Sequence, residues 1–233
     1  MALVIENVTV ERYGRRMVSE VSITVEPGKV AAVLGANGAG KSELVLAVAG
    51  VLPIISGNIV IDGTAIHRSA PDVIRRAGMA AVPEGHRVLS RLSVDDNLRA
   101  AGSVLSASEV ETTLVDTYEV FPELGERKSQ IAGTMSGGQQ QMLAIGHALM
   151  SQPKYMLIDE MSLGLAPLIV KRLVDTVSQL VERGTGIVLV EQFTEVALSL
   201  ADSVLVMRSG KVQFSGSAAE IRQDPRIVDE AYF

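Results

Sequence analysis

The sequence predicts an α/β fold built around a parallel β-sheet. Short apolar runs alternate with longer helical patterns along most of the 233 residues, as expected of strand–helix–strand units. The run YMLIDE at 155–160 is apolar until its last two residues, which is typical of a strand buried on both faces. With 47% hydrophobic residues, the chain can build a substantial core.

Local patterns place the individual elements in order along the chain. Eight strands are predicted from apolar or alternating runs: LVIENVTV, VSITV, VAAVLG, GNIVIDG, MAAVP, YMLIDE, GIVLVEQ and SVLVMRSGKVQFSG. Helices are predicted directly after Gly40 and over 93–101, 108–121, 138–150, 167–183 and 193–201.

Region 86–150 differs from the rest because it holds helical patterns without clear strands. Ser93 and Asp96 predict a capping box at a helix start. Four residues recur on one face of the following helix: Val110, Leu114, Tyr118 and Phe121. We therefore predict a helical insertion between the strands MAAVP and YMLIDE.

Composition argues against several function classes. The net charge of −6 and pI of about 5.2 do not favour bulk attraction to nucleic acid, and 3% aromatic residues provide no stacking platform for single strands. The absence of Cys excludes disulfides, thiolate metal sites and cysteine nucleophiles. The start MALVIENVTVERYG predicts a strand and no signal peptide. The uncharged stretch 44–61 is interrupted by Pro53 and Gly57, so we expect a soluble chain without a spanning segment.

Residues 35–42 read GANGAGKS and match the pattern GxxxxGK[ST]. Gly35, Gly38 and Gly40 let backbone N–H groups turn inward around an anion. Lys41 can reach the outer phosphates of a nucleotide, and the Ser42 hydroxyl can bind Mg²⁺. A predicted strand precedes the loop and a predicted helix follows it, so we favour a nucleotide site over an ordinary glycine-rich turn.

Two adjacent acids, Asp159 and Glu160, end the predicted strand YMLIDE. Taken alone they are explained as caps of the next helix, because unpaired buried charge costs several kcal/mol or more. Beside a phosphate loop, Asp159 can hold the Mg²⁺ shell opposite Ser42, and Glu160 can accept a proton from the attacking water. We therefore predict catalytic acids rather than caps.

A second candidate anion site lies in TMSGGQQQMLAIGHALM. Ser136 is a predicted N-cap, and Gly137 and Gly138 expose backbone N–H groups at the helix start. The local alternative is an ordinary capped helix.

The motifs GANGAGKS, MSGGQQQ and YMLIDE, in this order and spacing, resemble those of the ATP-binding cassette (ABC) ATPases over nearly the whole chain. The resemblance implies a P-loop NTPase (RecA-like) core with an antiparallel β subdomain and an inserted α-helical subdomain. It implies one nucleotide-binding domain, 1–233, with the core at 1–85 and 151–215, the helical subdomain at 86–150 and a short tail at 216–233. It also implies ATP and Mg²⁺ as ligands, bound in a head-to-tail dimer.

The resemblance also implies roles for individual residues of the nucleotide site. In the dimer, the phosphate loop of one subunit faces four residues of the other: Ser136, Gly137, Gly138 and Gln139. Tyr13 matches the aromatic residue that stacks on adenine; the alternative is a strand residue packed on the sheet. Residues 162–165 (SLGL) match a loop that crosses the dimer seam; the alternative is a plain turn. In the phosphate loop, Ala36, Asn37 and Ala39 are expected to contribute mainly backbone groups.

Three departures from the common ABC pattern bear on the subfamily. Glu84 stands where most members carry Gln, and Gln192 where most carry His. With SLGLAP and the AYF ending, they are similar to the smaller ATPase of branched-chain amino-acid importers. Met161 replaces the usual Pro after the catalytic Glu, which predicts a less rigid loop. Glu84 can bind Mg²⁺ but cannot donate a hydrogen bond, and Gln192 can bridge a γ-phosphate and a neighbouring loop. Because Gln192 cannot become cationic, we expect no activity step near pH ~6.5 from that position.

The resemblance implies an ATP-hydrolysing importer subunit for branched-chain or related amino acids. Two separate permease subunits would dock near residues 84–98, with an extracytoplasmic solute-binding protein involved indirectly. The chain would lie peripherally on the cytoplasmic face of the inner or plasma membrane, paired with a second ABC ATPase or a second copy of itself, and without a nucleic-acid partner. The alternatives are a urea, amide or aromatic-acid importer, a soluble ABC ATPase of a macromolecular assembly, and a nucleotide-binding subunit with little hydrolysis.

The remaining polar candidates are predicted to be structural. His67, His86 and His147 are expected to have surface or packing roles, and Arg75 and Arg76 to form a solvated helix face.

Overall fold

The computed structural model describes residues 1–85 and 87–232, so the prediction for His86 lies outside the described residues. The strands are β1 (Leu3–Arg12), β2 (Arg15–Val25), β3 (Val30–Leu34), β4 (Ile54–Ile61), β5 (Thr64–Ala65), β6 (Met79–Val82), β7 (Tyr155–Asp159), β8 (Gly186–Glu191), β9 (Ser203–Arg208) and β10 (Lys211–Ser217). The helices are α1 (Lys41–Val48), α2 (Pro71–Arg76), α3 (Val94–Ala101), α4 (Ala107–Val120), α5 (Pro122–Gly125), α6 (Gly137–Leu149), α7 (Pro167–Glu182), α8 (Thr194–Leu200), α9 (Ala218–Gln223) and α10 (Arg226–Tyr232), with a 3-10 turn at Ala132–Thr134.

Two sheets form the framework of the molecule. The larger has the order β10-β9-β3-β8-β7-β6 and is parallel except for β10, and the smaller is the antiparallel sheet β2-β1-β4-β5. Leu34 pairs with Glu191, and Asp159 pairs with Val190, so β3, β7 and β8 end side by side. Ligands of open α/β sheets bind outside the carboxyl ends of the strands, which places the candidate site at this edge. The predicted α/β class is confirmed.

The central strands are buried on both faces, which explains their unbroken apolar sequences. Leu157 and Val190 pack in a cluster with α1 and the smaller sheet. Their chain neighbours Ile158 and Leu189 pack in a second cluster with α6 and α7 on the opposite face. Each fully buried side chain of this kind stabilises the fold by about 1.5–3 kcal/mol. The two layers of packing fix the sheet edge that carries the candidate acids.

Helices α3 to α6 lie between β6 and β7 and are organised around one buried amide. Ser93 caps α3 by accepting from the Asp96 N–H, while the Asp96 carboxylate accepts from the Ser93 hydroxyl rather than from its backbone. The Asn97 side chain accepts from the Leu89 N–H at 2.8 Å and donates to three nearby carbonyl oxygens. Nε2 of His147 on α6 donates to the same amide oxygen at 3.1 Å, which confirms a packing role for this histidine. Burial lowers the pKa of His147 to about 4.

Several elements differ from the sequence prediction. The segment SVLVMRSGKVQFSG is not one strand but the hairpin β9–β10, because Ser209 and Gly210 both adopt positive φ in the turn. Strand β2 begins at Arg15, six residues before the predicted start, since a register shift breaks the apolar alternation. Helix α2 was given no predicted range, although Arg75 and Arg76 were expected on a helix face, and the tail forms two helices, α9 and α10.

Two further observations concern surface features. Arg75 does not belong to a solvated helix face: it is half-buried and donates to the Ala101 carbonyl oxygen, whereas Arg76 is exposed. His67 is half-buried. Within the described part of the chain, no helix combines the length and apolarity that crossing a membrane requires.

The Asn97 network predicts a large effect on stability. Asn97→Ala should lower the free energy of unfolding by about 1–3 kcal/mol, because it leaves the Leu89 N–H and the neighbouring carbonyls without the buried amide that binds them. Urea unfolding measures this difference. Asn58→Ala, which changes an exposed amide, should stay within about 0.5 kcal/mol of the wild type. Equal losses in both variants would contradict the assignment.

Candidate functional site

The segment 35–40 connects β3 to α1 as a compact loop. Gly40 has φ +97°, and a Cβ added there would lie against the Met17 carbonyl oxygen, so the position requires glycine. The loop is closed by the Ala39 N–H, which donates to Ala36 O at 3.1 Å, and tied to the β9–β10 turn by the Gly210 N–H, which donates to Ala39 O at 2.9 Å. This geometry exposes the N-terminus of α1 to the cavity in front of it.

Lys41 is buried in this loop and forms an ion pair with Glu160. Its ammonium donates to Gly35 O at 2.6 Å and to Ala36 O at 3.3 Å, and it lies 3.2 Å from Glu160 Oε1. The side chains of Lys41 and Glu160 are only 5% and 4% exposed. A buried pair of this kind is stable only with good geometry and further partners, since both charges have lost their hydration. The structure thus places the predicted lysine directly against the predicted base.

The second strand-end acid, Asp159, faces Ser42. Burial, together with the charges of Glu160 and Glu84, raises the pKa of Asp159 to about 6, whereas the nearby Ser42 hydroxyl and Lys41 ammonium favour the ionised form. Its Oδ1 is buried and has no hydrogen-bond partner among the described residues; the same holds for Glu160 Oε2. Mg²⁺ prefers oxygen ligands such as hydroxyl and carboxylate groups, so Ser42 and Asp159 fit a magnesium ion.

One cavity of about 180 Å³ brings eight of the predicted site residues together. Its lining comprises Asn37, Gly38, Ala39, Gly40, Lys41, Ser42, Glu43, Glu84 and Glu160. Glu84 is exposed and follows β6, so it approaches the phosphate loop from the strand beside β7. That Glu84 binds Mg²⁺ stays a prediction.

Tyr13 lies in the turn between β1 and β2, where it has φ +53° and is 90% exposed. It is therefore not packed on the sheet. Arg12, its neighbour, forms an ion pair at 3.3 Å with Glu43 of α1, and the Arg12 guanidinium lies 5.1 Å from the Tyr13 ring centroid. These contacts tie the hairpin to the helix that follows the phosphate loop.

The SGGQ segment, Ser136 to Gln139, is not part of this cavity. Ser136 caps α6 in a full capping box with Gln139, as expected of the predicted N-cap. Ser136 and Gln139 border a different cavity, of about 470 Å³, between α6 and α7. Gly138 is buried, and a Cβ there would lie 2.7 Å from Ile169 Cγ2. Within one chain the two glycine-rich helix starts therefore face separate cavities.

The segments that follow β7 and β8 contain contacts that the sequence did not reveal. Ser162 of the SLGL loop is buried and donates to the carboxylate of Glu191, the last residue of β8. Gln192 is half-buried and does not line the phosphate cavity; its carbonyl oxygen accepts from the Tyr232 hydroxyl at 3.3 Å. Neither Glu191 nor Tyr232 belongs to a motif with a known spacing, although the acid in an otherwise apolar strand was a signal for Glu191.

A strand, a glycine-rich loop, a buried lysine at a helix start and two acids on the adjacent strand define a P-loop nucleotide-binding protein. The model of the family "ABC transporter" matches residues 18–162. The chain belongs to the ABC transporter family and is an ATP-hydrolysing subunit of that family. This confirms the resemblance drawn from the three motifs.

Curated relatives cover almost the entire chain. It is 41% identical to the high-affinity branched-chain amino acid transport ATP-binding protein BraG of Pseudomonas aeruginosa, over 93% of this chain and 94% of the relative. It is 32% identical to the probable branched-chain amino acid transport ATP-binding protein LivF of Archaeoglobus fulgidus, over 89% of each. The lipopolysaccharide export system ATP-binding protein LptB of Escherichia coli is 30% identical, over 97% of this chain and 94% of the relative.

Solved structures agree with the fold. A nucleotide-free ATP-binding cassette from an ABC transporter superposes with a TM-score of 0.88 at 25% identity, covering 100% of this chain and 99% of that one. The ATP-binding subunit of another ABC transporter gives a TM-score of 0.85 at 27% identity, covering 99% and 98%. The predicted ABC ATPase architecture is confirmed.

The raised pKa of Asp159 predicts a pH-dependent stability difference. The unfolded chain releases this proton near the ordinary pKa of 3.8 and the folded chain near 6, so ionisation destabilises the fold as the pH rises between these values. Without nucleotide or Mg²⁺, Asp159→Asn should raise the free energy of unfolding by about 3 kcal/mol at pH 8 and about 1 kcal/mol at pH 4.5. Urea unfolding at both pH values measures the two differences. The same difference at both would contradict a buried, charged Asp159.

Proposed function

We propose that the chain is the ATP-hydrolysing subunit of an importer for branched-chain or related amino acids. The observation that carries the cargo class is the 41% identity to BraG over 93% of the chain. The identity to LptB, which is named for lipopolysaccharide export, is lower at 30%. The pair Glu84 and Gln192 supports the subfamily, but it identifies a lineage and does not separate an amino acid from urea or an amide as cargo.

The phosphate loop binds the nucleotide phosphates in this proposal. Backbone N–H groups of six loop residues surround them: Gly35, Ala36, Asn37, Gly38, Ala39 and Gly40. The Lys41 ammonium binds the carbonyl oxygens of Gly35 and Ala36 and the carboxylate of Glu160. It turns to the outer phosphates when a nucleotide binds, because a polyphosphate is a stronger partner than two carbonyls and one carboxylate. Tyr13 stacks on the adenine, which its 90% exposure and the link from Arg12 to Glu43 support.

Glu160 acts as the general base. Once Lys41 leaves it for the phosphates, the carboxylate loses its ion-pair partner and is free to accept a proton from the attacking water. The buried Oε2, which has no hydrogen-bond partner among the described residues, supports this role. Three side chains would hold Mg²⁺: Ser42, Asp159 and Glu84. When bound there, the ion would supply positive charge against the charge that develops on the phosphate oxygens. Gln192 contacts the γ-phosphate as a neutral amide.

The SGGQ segment completes the site of another subunit. Ser136, Gly137, Gly138 and Gln139 present the positive end of a 13-residue helix. This helix start faces a cavity that shares no lining residue with the phosphate loop. A head-to-tail dimer, with a second copy or a second ABC ATPase, brings one such helix start to each nucleotide.

The permease subunits dock in an apolar groove between the core and the helical region. The groove has a volume of about 560 Å³ and includes Val51, Ile74, Val88 and Leu89. Val51 and Leu89 are 58% and 47% exposed, which is costly for large apolar side chains that remain in water. Docking of the permease subunits at this groove places the chain peripherally on the cytoplasmic face of the membrane. The domain boundaries at 86 and 150 bracket the helical side of this groove.

Affinity purification of the tagged chain from detergent-solubilised membranes tests the proposed function. We expect two polytopic proteins and a second P-loop ATPase among the partners identified by mass. An amino-acid-binding protein encoded with them would then identify the cargo. Recovery of soluble partners alone would contradict the importer and favour a macromolecular assembly.

Glu160→Gln tests the assignment of the base. The amide keeps the size of the side chain but cannot accept the proton, so turnover should fall by about 10²- to 10⁴-fold while ATP binding persists. Size-exclusion chromatography with ATP should then show a trapped closed dimer. Glu111→Gln, which alters an exposed carboxylate on α4, should hydrolyse ATP at the wild-type rate. Near-normal turnover of Glu160→Gln would overturn the assignment.

A further inference from the structure

Glu191 is a buried carboxylate that the proposed mechanism does not use. It is 0% exposed at the end of β8, one residue before Gln192. Its Oε1 accepts from the Ser162 N–H at 3.1 Å, and its Oε2 accepts from the Ser162 hydroxyl at 2.8 Å. Burial raises the pKa of Glu191, and the nearby charge of Glu160 adds to this effect.

These bonds fix the base of the SLGL loop against β8. The Glu160 N–H donates to Val190 O at 2.9 Å, so the loop is joined to consecutive residues of β8 through Glu160 and Ser162. Met161 between them is 0% exposed and packs in the core beneath the sheet. Beyond Ser162 the loop turns outward, and Leu163 is 37% exposed. The loop therefore has an anchored base and an exposed tip.

The two donors of Ser162 each bind a different oxygen, so they require an acceptor with two oxygens. A carboxylate accepts at both oxygens, whereas an amide in the same place offers one oxygen and turns its NH₂ group toward a remaining N–H or hydroxyl. Burying a carboxylate costs several kcal/mol unless hydrogen bonds compensate it. A strand that only needed to fill the core would be better served by an apolar residue, as at the five preceding positions of β8, which are all buried.

We propose that Glu191 is a positioning residue of the ATPase site. It joins the SLGL loop by hydrogen bonds to the strand end that carries Gln192. The loop at the dimer seam and the Gln192 side chain that contacts the γ-phosphate therefore move together. The anchor also holds the backbone that follows Glu160, which has φ +53°. This inference rests on the proposed function, because it assigns Glu191 a role in a hydrolytic dimer.

Glu191→Gln in the complex recovered with the tagged chain tests the proposal. Turnover of ATP should fall at least about tenfold, because a displacement of about 1 Å at reacting groups costs this much or more. The KM for ATP should change less than about twofold, since the phosphate loop is untouched. In the Glu160→Gln background, the same substitution should reduce the fraction of ATP-trapped dimer.

The matched control is Asp202→Asn. Asp202 also accepts from a backbone N–H, that of Val30 at 2.9 Å, and from a side-chain donor, Lys29, but it lies at the opposite end of the sheet. The Asp202→Asn variant should hydrolyse ATP at the wild-type rate. Ser162→Ala keeps the carboxylate and removes one donor, and should lower turnover about threefold with an unchanged KM.

The outcomes separate this proposal from the proposed function. Wild-type turnover in folded Glu191→Gln and in Ser162→Ala would overturn the positioning role and leave the importer intact. A fall in melting temperature without a fall in turnover would show a purely structural carboxylate and would also overturn it. Absence of ATP hydrolysis in the wild-type complex would instead contradict the proposed function.

Discussion

The organisation of the site depends on a cluster of buried charges at the ends of adjacent strands. Lys41, Asp159 and Glu160 are each at most 6% exposed, and only one ion pair is formed among them. Charges in such surroundings interact strongly, because the effective dielectric constant is well below that of water. The cluster therefore favours a ligand that supplies both negative charge for Lys41 and positive charge for the acids. A nucleotide with its Mg²⁺ meets both requirements.

The surrounding fold keeps this cluster in place while leaving one side accessible. Parallel pairing sets the ends of β3, β7 and β8 in register, and packing on both faces prevents the strands from shifting. The glycine-rich loop closes the cluster from the β3 side, and Glu191 fastens the loop after Glu160 from the β8 side. The buried Met161 stands where the subfamily usually carries Pro, so core packing and the Glu191 bonds hold this segment without a proline ring.

The sequence predicted the fold class and, except for Glu43, the lining residues of the phosphate cavity, because these depend largely on local patterns. A glycine-rich loop and a strand ending in acids have their chemistry within a few residues. The hairpin β9–β10 was missed because its two strands form one continuous β-like run in the sequence. The burial of Arg75 was missed because an arginine pair on a short helix gives no sign of a tertiary contact. Glu191 and its partner Ser162 are separated by 29 residues, so their bond depends on strand order, which no local pattern contains.

The most direct test of this account is ligand-linked stability of the full chain. We would measure the unfolding of the wild type with Mg²⁺ and ATP, and with Mg²⁺ and AMP, at one common nucleotide concentration. A ligand at 100 times its Kd raises the free energy of unfolding by about 2.7 kcal/mol if it binds only the folded state. We expect strong stabilisation by ATP, and little by AMP at the same concentration, because AMP lacks the outer phosphates that draw Lys41 from Glu160. Equal stabilisation by both nucleotides, or by neither, would contradict a charge cluster completed by the nucleotide.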